Sequence, residues 1–188
     1  MNTTTSILNI DNNRLEELET LIGYNFASIN SKSSHMSYDE LNKFRIGGGS
    51  YIHFYDTTTY KKYLLKMTFL GYDCIARNES ECHGFNISSI KDEIPFSPIH
   101  ELTAYTSSVS FRDFILKEIS FWSMGYQEVD FPKYNDLIVF ELNNGYCIFL
   151  VLGDRVDVDV YIQKNTVVDF FNQYPDYEER ELILLHKI

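Results

Sequence analysis

The chain has 188 residues, 44% of them hydrophobic and 15% aromatic, which is ample for a packed core and excludes a disordered chain. Its formal net charge is −11, from 27 acids against 16 bases, a balance that repels nucleic acid and anionic membranes and suits a basic partner. Three cysteines fall in no disulfide-framework spacing, the first ten residues form no signal region, and no apolar run nears the ~18 residues of a bilayer span. The expectation is a soluble protein of the reducing cytoplasm.

Asn13-Arg14-Leu15-Glu16 has the form of a capping box. Leu15, Leu18, Leu21 and Ile22 follow on one helical face, and Gly23 suits the stop. Ser28 to Ser34 is small and polar and reads as a loop. Ser37-Tyr38-Asp39-Glu40 repeats the capping pattern and predicts a short helix to about Phe44. Gly47-Gly48-Gly49-Ser50 then reads as a flexible joint, native or engineered, between helix and strand. It lacks the Gly-Lys-Ser/Thr and the following helix of a phosphate cradle.

Tyr51–Asp56, Tyr63–Leu70, Tyr72–Arg77 and Phe85–Ile90 predict an antiparallel meander, with a turn at Thr57–Tyr60 and a break at Gly71. Ile94-Pro95-Phe96-Ser97-Pro98 is an irregular connection, a subdomain seam near 94–99 in what otherwise reads as one domain over 1–188. Ser110-Phe111-Arg112-Asp113 predicts a helix cap, because Phe111, Phe114, Ile115, Ile119 and Trp122 recur at helical spacing up to about Met124.

Leu137–Leu142, Tyr146–Leu152 and Val156–Ile162 read as three successive strands. Asn144-Gly145 between two apolar runs is a hairpin signal, since both turn residues tolerate positive φ. Tyr146–Leu152 is apolar without alternation, so both its faces are expected to be buried at the centre of a sheet. Val156, Val158, Val160 and Ile162 alternate with Asp157, Asp159 and Tyr161, which predicts one core face and one wet face. Asn165 caps a helix with Val167, Phe170, Phe171 and Tyr174 in one stripe, and Leu182–Leu185 supplies a last strand or helix end. The fold class is α+β, with antiparallel sheets and helices packed on them.

No motif carries a reaction. Cys74 and Cys82 stand eight apart, not at the short paired spacing of structural zinc, and a set completed by His83 with His53, His100 or Cys147 is scattered. Cys147 lies mid-strand, where a thiolate is costly, and neighbours such as Cys82 and His83 point to opposite faces of an extended chain. His100-Glu101 lacks the second histidine of a zinc-protease helix, with Ala104 in its place. The expectation is no catalytic residue, no metal and no cofactor. A small enzyme or ligand-binding domain with an aromatic-lined pocket is the reading of a different class.

Acidic charge collects late in the chain. From Gln127 to Ile188 there are twelve carboxylates against five cations, −7 of the −11. Asp157, Asp159 and Tyr161 read as an acidic strand face with Asp154 in the adjoining turn, and Asp176, Tyr177, Glu178 and Glu179 as an acidic loop with an aromatic anchor. The alternatives for the strand face are a solvated edge or a divalent-cation site. These eight residues are the expected contacts for a protein partner with a basic surface, with neither nucleic acid nor membrane bound directly.

The segment Leu137–Phe171 has Asn143-Asn144-Gly145 in a late hairpin and closes on Val167-Val168-Asp169-Phe170-Phe171. In this segment, and in the style of the whole chain, it resembles immunity proteins of bacterial polymorphic toxin systems. The two-glycine-plus-acidic signature of their commonest superfamily is not in the chain. The resemblance implies a non-catalytic protein that inhibits a toxin enzyme, often a nuclease, by covering its basic groove. A phage protein blocking a host defence nuclease follows from the same chemistry.

Overall fold

The computed structural model describes residues 6–8, 10–31, 37–39, 43–47, 50–59, 61–74, 79–92, 107–125, 133–152, 157–175 and 177–188. In chain order the elements are β1 (Ser6–Ile7), α1 (Asn12–Glu19), β2 (Asn25–Ser31), β3 (Ser37–Asp39), β4 (Lys43–Gly47), β5 (Ser50–Tyr55), β6 (Lys62–Cys74), β7 (Glu79–Asp92), β8 (Ser107–Ser110), β9 (Leu116–Ser123), β10 (Lys133–Tyr134), β11 (Leu137–Leu142), β12 (Cys147–Leu152), β13 (Asp157–Gln163), α2 (Val167–Asn172), a single 3₁₀ turn at Tyr177–Glu179, and β14 (Ile183–Lys187). A seven-stranded sheet runs β14-β9-β11-β12-β13-β4-β3, a five-stranded sheet runs β7-β6-β5-β2-β8, and β1 pairs with β10. Every pairing in the two large sheets is antiparallel. The class is α+β, with little helix.

The hydrophobic pattern explains the layers. Phe26, Ile29, Ile52, Phe54, Leu65 and Phe85 of the smaller sheet share one buried cluster with Phe44, Ile46, Ile138, Phe140, Ile148, Leu150, Val158 and Val160 of the larger. Phe140 is the ring between them, 5.2 Å from Phe26 and 6.2 Å from Phe54 by centroids. On the other face of the larger sheet, Leu137, Val139, Phe149, Val151 and Tyr161 lie under Phe170 and Phe171 of α2. Phe149 stacks on Phe170 at 4.1 Å and 14°. As predicted, β12 is central and buried on both faces from Cys147 to Val151, and Gly145 turns the β11–β12 hairpin at φ +79.

Helix caps shift by a residue or two. Asp11, not Asn13, caps α1 by accepting from the Arg14 N–H at 2.9 Å, and Thr166, not Asn165, caps α2. Gly23 takes φ +90 and donates its N–H to the Leu116 carbonyl at 2.8 Å.

Several local expectations are corrected. Within the helix expected at Ser37–Phe44 the described residues form β3 and the start of β4, and within the loop expected at Ser28–Ser34 they form the end of β2; residues 32–34 and 40–42 lie outside the described residues. Gly47 and Ser50 therefore join two strands of different sheets, not a helix to a strand; Gly48 and Gly49 lie outside the described residues. Gly71 does not end a strand, because β6 runs through it with a register shift between Phe69 and Gly71. The connection at 94–99 also lies outside the described residues.

The last correction is the largest. The helix predicted from Phe111 to Met124 is a strand, β9, reached through a bent corner. β8 pairs with β2 from Ser31↔Ser107 to Ser28↔Ser110. The ladder then continues along β2: Phe111 N–H donates to Ala27 O, Phe26 N–H to Phe114 O, and Leu116 N–H to Tyr24 O. Arg112 and Asp113 are the extra residues, pushed out where Asp113 adopts φ 58. One strand thus leaves the five-stranded sheet and enters the seven-stranded one. Phe121 and Ile119 fill the core on one face of β9 while Trp122 and Met124 pack on the other, and that two-sided burial imitates a helical repeat.

The backbone at Asp113 gives a test free of side-chain packing, since the residue is exposed. Asp113→Val is expected to lower stability by about 1–2 kcal/mol, and Asp113→Gly to hold or raise it. Thermal melts in which the valine variant equals the glycine variant would exclude the left-handed corner.

Candidate functional site

The eight residues predicted to meet a partner part company. Asp154 and Asp176 lie outside the described residues, and Asp157 is placed only as a β13 position opposite Gly47. Asp159 is not on a wet face. It is 4% exposed and accepts from Arg45 Nε at 2.7 Å and Nη2 at 3.0 Å, with Lys43 Nζ at 3.1 Å. Burial raises its pKa, but the hydrogen bonds from Arg45 and Lys43 outweigh burial and hold the carboxyl below the usual range. Tyr161 is 8% exposed, with its ring 5.0 Å from Phe170 and 6.4 Å from Tyr174. The alternation in β13 was read correctly, yet α2 and the β4 cations cover its second face. Asp159 and Tyr161 therefore join strand to strand and helix to sheet; they are not landing contacts.

Tyr177, Glu178 and Glu179 keep the exposed position expected of them, with Tyr177 37% exposed. They form the 3₁₀ turn that follows α2, and the Tyr177 ring rests edge-on against Phe171 at 6.4 Å. Thr166 builds the other end: its Oγ accepts from the Asp169 N–H at 3.1 Å and donates to the Asp169 carboxylate at 2.7 Å. The apolar stripe Val167-Phe170-Phe171-Tyr174 faces the sheet, so Val168 and Asp169 look outward. Among the described residues of this region the exposed carboxylates are then Asp169, Glu178, Glu179 and Glu181.

The cations nearby are turned elsewhere. Arg180 follows the 3₁₀ turn directly, but Nη1 donates to the Met124 carbonyl at 3.0 Å and the guanidinium lies 5.6 Å from the Tyr174 ring. The exposed Lys164 sits over the Tyr146 ring at 4.8 Å. At the turn itself, then, Arg180 is drawn inward while the neighbouring acids stay outward.

Sequence reasoning missed the seat of this turn. Asp136 accepts from the Met124 N–H at 2.7 Å, Arg180 takes the carbonyl of that same residue, and the Glu181 N–H donates to Gly125 O at 2.9 Å. The last two bonds fasten the acidic turn to the residues just after β9, and the Asp136 bond holds the Met124 N–H beside them. Burial pushes the Asp136 carboxyl up to about 7, although the Met124 N–H and the Arg180 charge draw it down. Burial also raises the Tyr174 hydroxyl. No local pattern announces Asp136; its role depends on Met124 and Arg180, distant in sequence.

Reactive groups are disposed differently. Cys147 is 8% exposed, and burial pushes its thiol up to about 11, with Glu141 and Glu118 adding to the effect. Such a thiol stays protonated at neutral pH and is a poor nucleophile. In the β6–β7 ladder Cys74 is opposite Glu79 and Cys82 opposite Gly71. That sets the two cysteines three positions apart along the strands, about 10 Å. Among the described residues no three of His, Cys, Asp and Glu come together as metal ligands, and no helix is long and apolar enough to cross a membrane. Compared with known proteins, the chain matches no family model, no curated protein and no solved structure.

Proposed function

We propose that this chain is a non-catalytic binding protein that neutralises a basic protein partner, as an immunity protein inhibits a cognate bacterial toxin such as a nuclease in the cytoplasm. The observation that carries this reading is the sorting of charge around α2 and the 3₁₀ turn. Glu178, Glu179, Glu181 and Asp169 face water, while Arg180 is drawn in against Met124 and Tyr174. A nuclease groove is built to hold phosphates and is cationic, so an acidic surface of fixed geometry competes for it and is steered toward it. The formal charge of −11 supplies the long-range part of that steering.

The test uses purified cationic nuclease toxin domains, each assayed for DNA cleavage with and without the chain. One of them should be inhibited at a one-to-one ratio, with an association rate that falls steeply as salt rises. The double reversal Glu178→Lys/Glu179→Lys is expected to slow that association by about tenfold at low salt. Both side chains are exposed, so the fold should survive. A salt-independent complex, or an unchanged rate in the variant, would remove this face from the interface.

A further inference from the structure

Among the described residues the large hydrophobics that stand most in water are Val168, Tyr177 and Leu184, at 56%, 37% and 46%. All three fall in the last segment of the chain, Val168 on the outer side of α2, and Tyr177 and Leu184 to either side of the exposed Glu178, Glu179 and Glu181. The register explains Leu184. It is opposite Trp122 in the β14–β9 ladder, so both side chains lie on the sheet face that carries α2. However, α2 has six residues and packs over Phe149 and Tyr161, toward β12 and β13. It does not reach the β14 side, where Trp122 and Leu182 are only partly covered and Leu184 is open. Tyr177 closes the strip at the other end through Arg180 and Glu181, which are bonded to Met124 and Gly125.

We propose that the strip from Tyr177 to Trp122 and Leu184 is the anchor of a protein interface, built to receive an aromatic or aliphatic side chain of a cationic partner within a rim of carboxylates. This rests on the reading above that the partner is basic, and adds what would hold it after arrival. The occupant follows from charge. Interfaces bind through a few apolar anchors sealed by a polar rim, and here the rim is Glu178, Glu179 and Glu181. A second copy of this chain would bring the same carboxylates against themselves in a two-fold contact, with −11 on each side. Strand addition at the free edge is also opposed: β14 carries a register shift between Leu184 and His186, and Lys187 there is paired with Glu118 at 2.7 Å. The side-chain face, not the backbone edge, is the surface on offer.

Trp122 is the chain's single tryptophan, so its fluorescence reports on this strip. The probes are two synthetic lysine-rich peptides of equal length and charge, one with a central Phe-Leu pair and one with Ser-Ser. The Phe-Leu peptide is expected to bind at least about tenfold more tightly and to shift the Trp122 emission. Leu184→Ser, and independently Tyr177→Ser, should erase that preference while leaving charge-driven binding of both peptides in place. Glu178→Lys/Glu179→Lys should weaken both peptides alike. Equal affinity of the two peptides, or a preference that survives both serine variants, overturns the anchor and leaves the electrostatic reading standing. No binding of either peptide at low salt overturns that parent reading as well. A concentration-dependent Trp122 emission without peptide, with a dimer in sedimentation that Leu184→Ser disperses, would assign the strip to a second copy and overturn the proposal.

Discussion

Phe140→Ala should lower the free energy of unfolding by about 3–5 kcal/mol. Phe140 is 1% exposed and sits mid-strand in β11, where no small backbone movement fills the space it leaves. Its ring meets Phe26 and Phe54 from the facing sheet, and those two rings meet each other at 5.1 Å in an edge-to-face pair. Removing it takes away burial, two aromatic contacts and the filler between layers. Denaturant unfolding measures this directly as a shift in midpoint at unchanged slope. A cost under about 1 kcal/mol would mean that the two sheets do not share this core.

The second expectation concerns acidity. Asp136 is held near 7 in the folded chain and returns to about 3.9 when unfolded. Between those values the unfolded chain gives up a proton that the folded one keeps, so stability falls as pH rises through that window and levels off above it. The contribution is on the order of a few kcal/mol, lost on going from pH 4 to pH 8. Asp136→Asn keeps an oxygen for the Met124 N–H and removes the ionisation. The variant is expected to be more stable than the parent at pH 8 and to lack this part of the pH slope. Identical slopes for the two proteins would show that the carboxyl is not enclosed as described. Asp136 and Arg180 hold the N–H and the C=O of Met124, so the Asp136 bond bears on the residue against which the acidic turn is seated.

What the sequence disclosed follows the range of the forces involved. The β11–β12 hairpin, the burial of β12 and the stripe of α2 are set by neighbours within a few residues, and all three are legible in Asn144-Gly145, the unbroken apolar run and the Val167-Phe170-Phe171-Tyr174 spacing. The strands β2, β3 and β9 were not. The partners of β2 and β9 stand far off in the chain, β3 is held only by the neighbouring β4, which itself needs β13, and capping patterns at Ser37 and Ser110 offered a local alternative that this pairing overrode. For the candidate site, exposure of Tyr177-Glu178-Glu179 after Pro175 was readable from composition. The withdrawal of Asp159 was not, because its carboxylate is claimed by Arg45 and Lys43, more than a hundred residues earlier. Nor was Leu184, whose openness comes from how short α2 is beside a seven-strand span.

That pairing of β4 with β13 has a consequence for how the chain reaches its native state. A strand near residue 45 finds this neighbour only after residue 160 has been made, so the larger sheet cannot close before then. Topologies of such high contact order fold in milliseconds to seconds, not microseconds. In the interval, β3 and β4 are unfinished strands with open ladders, and a nascent chain of this sequence is more exposed to aggregation than the finished, strongly charged molecule.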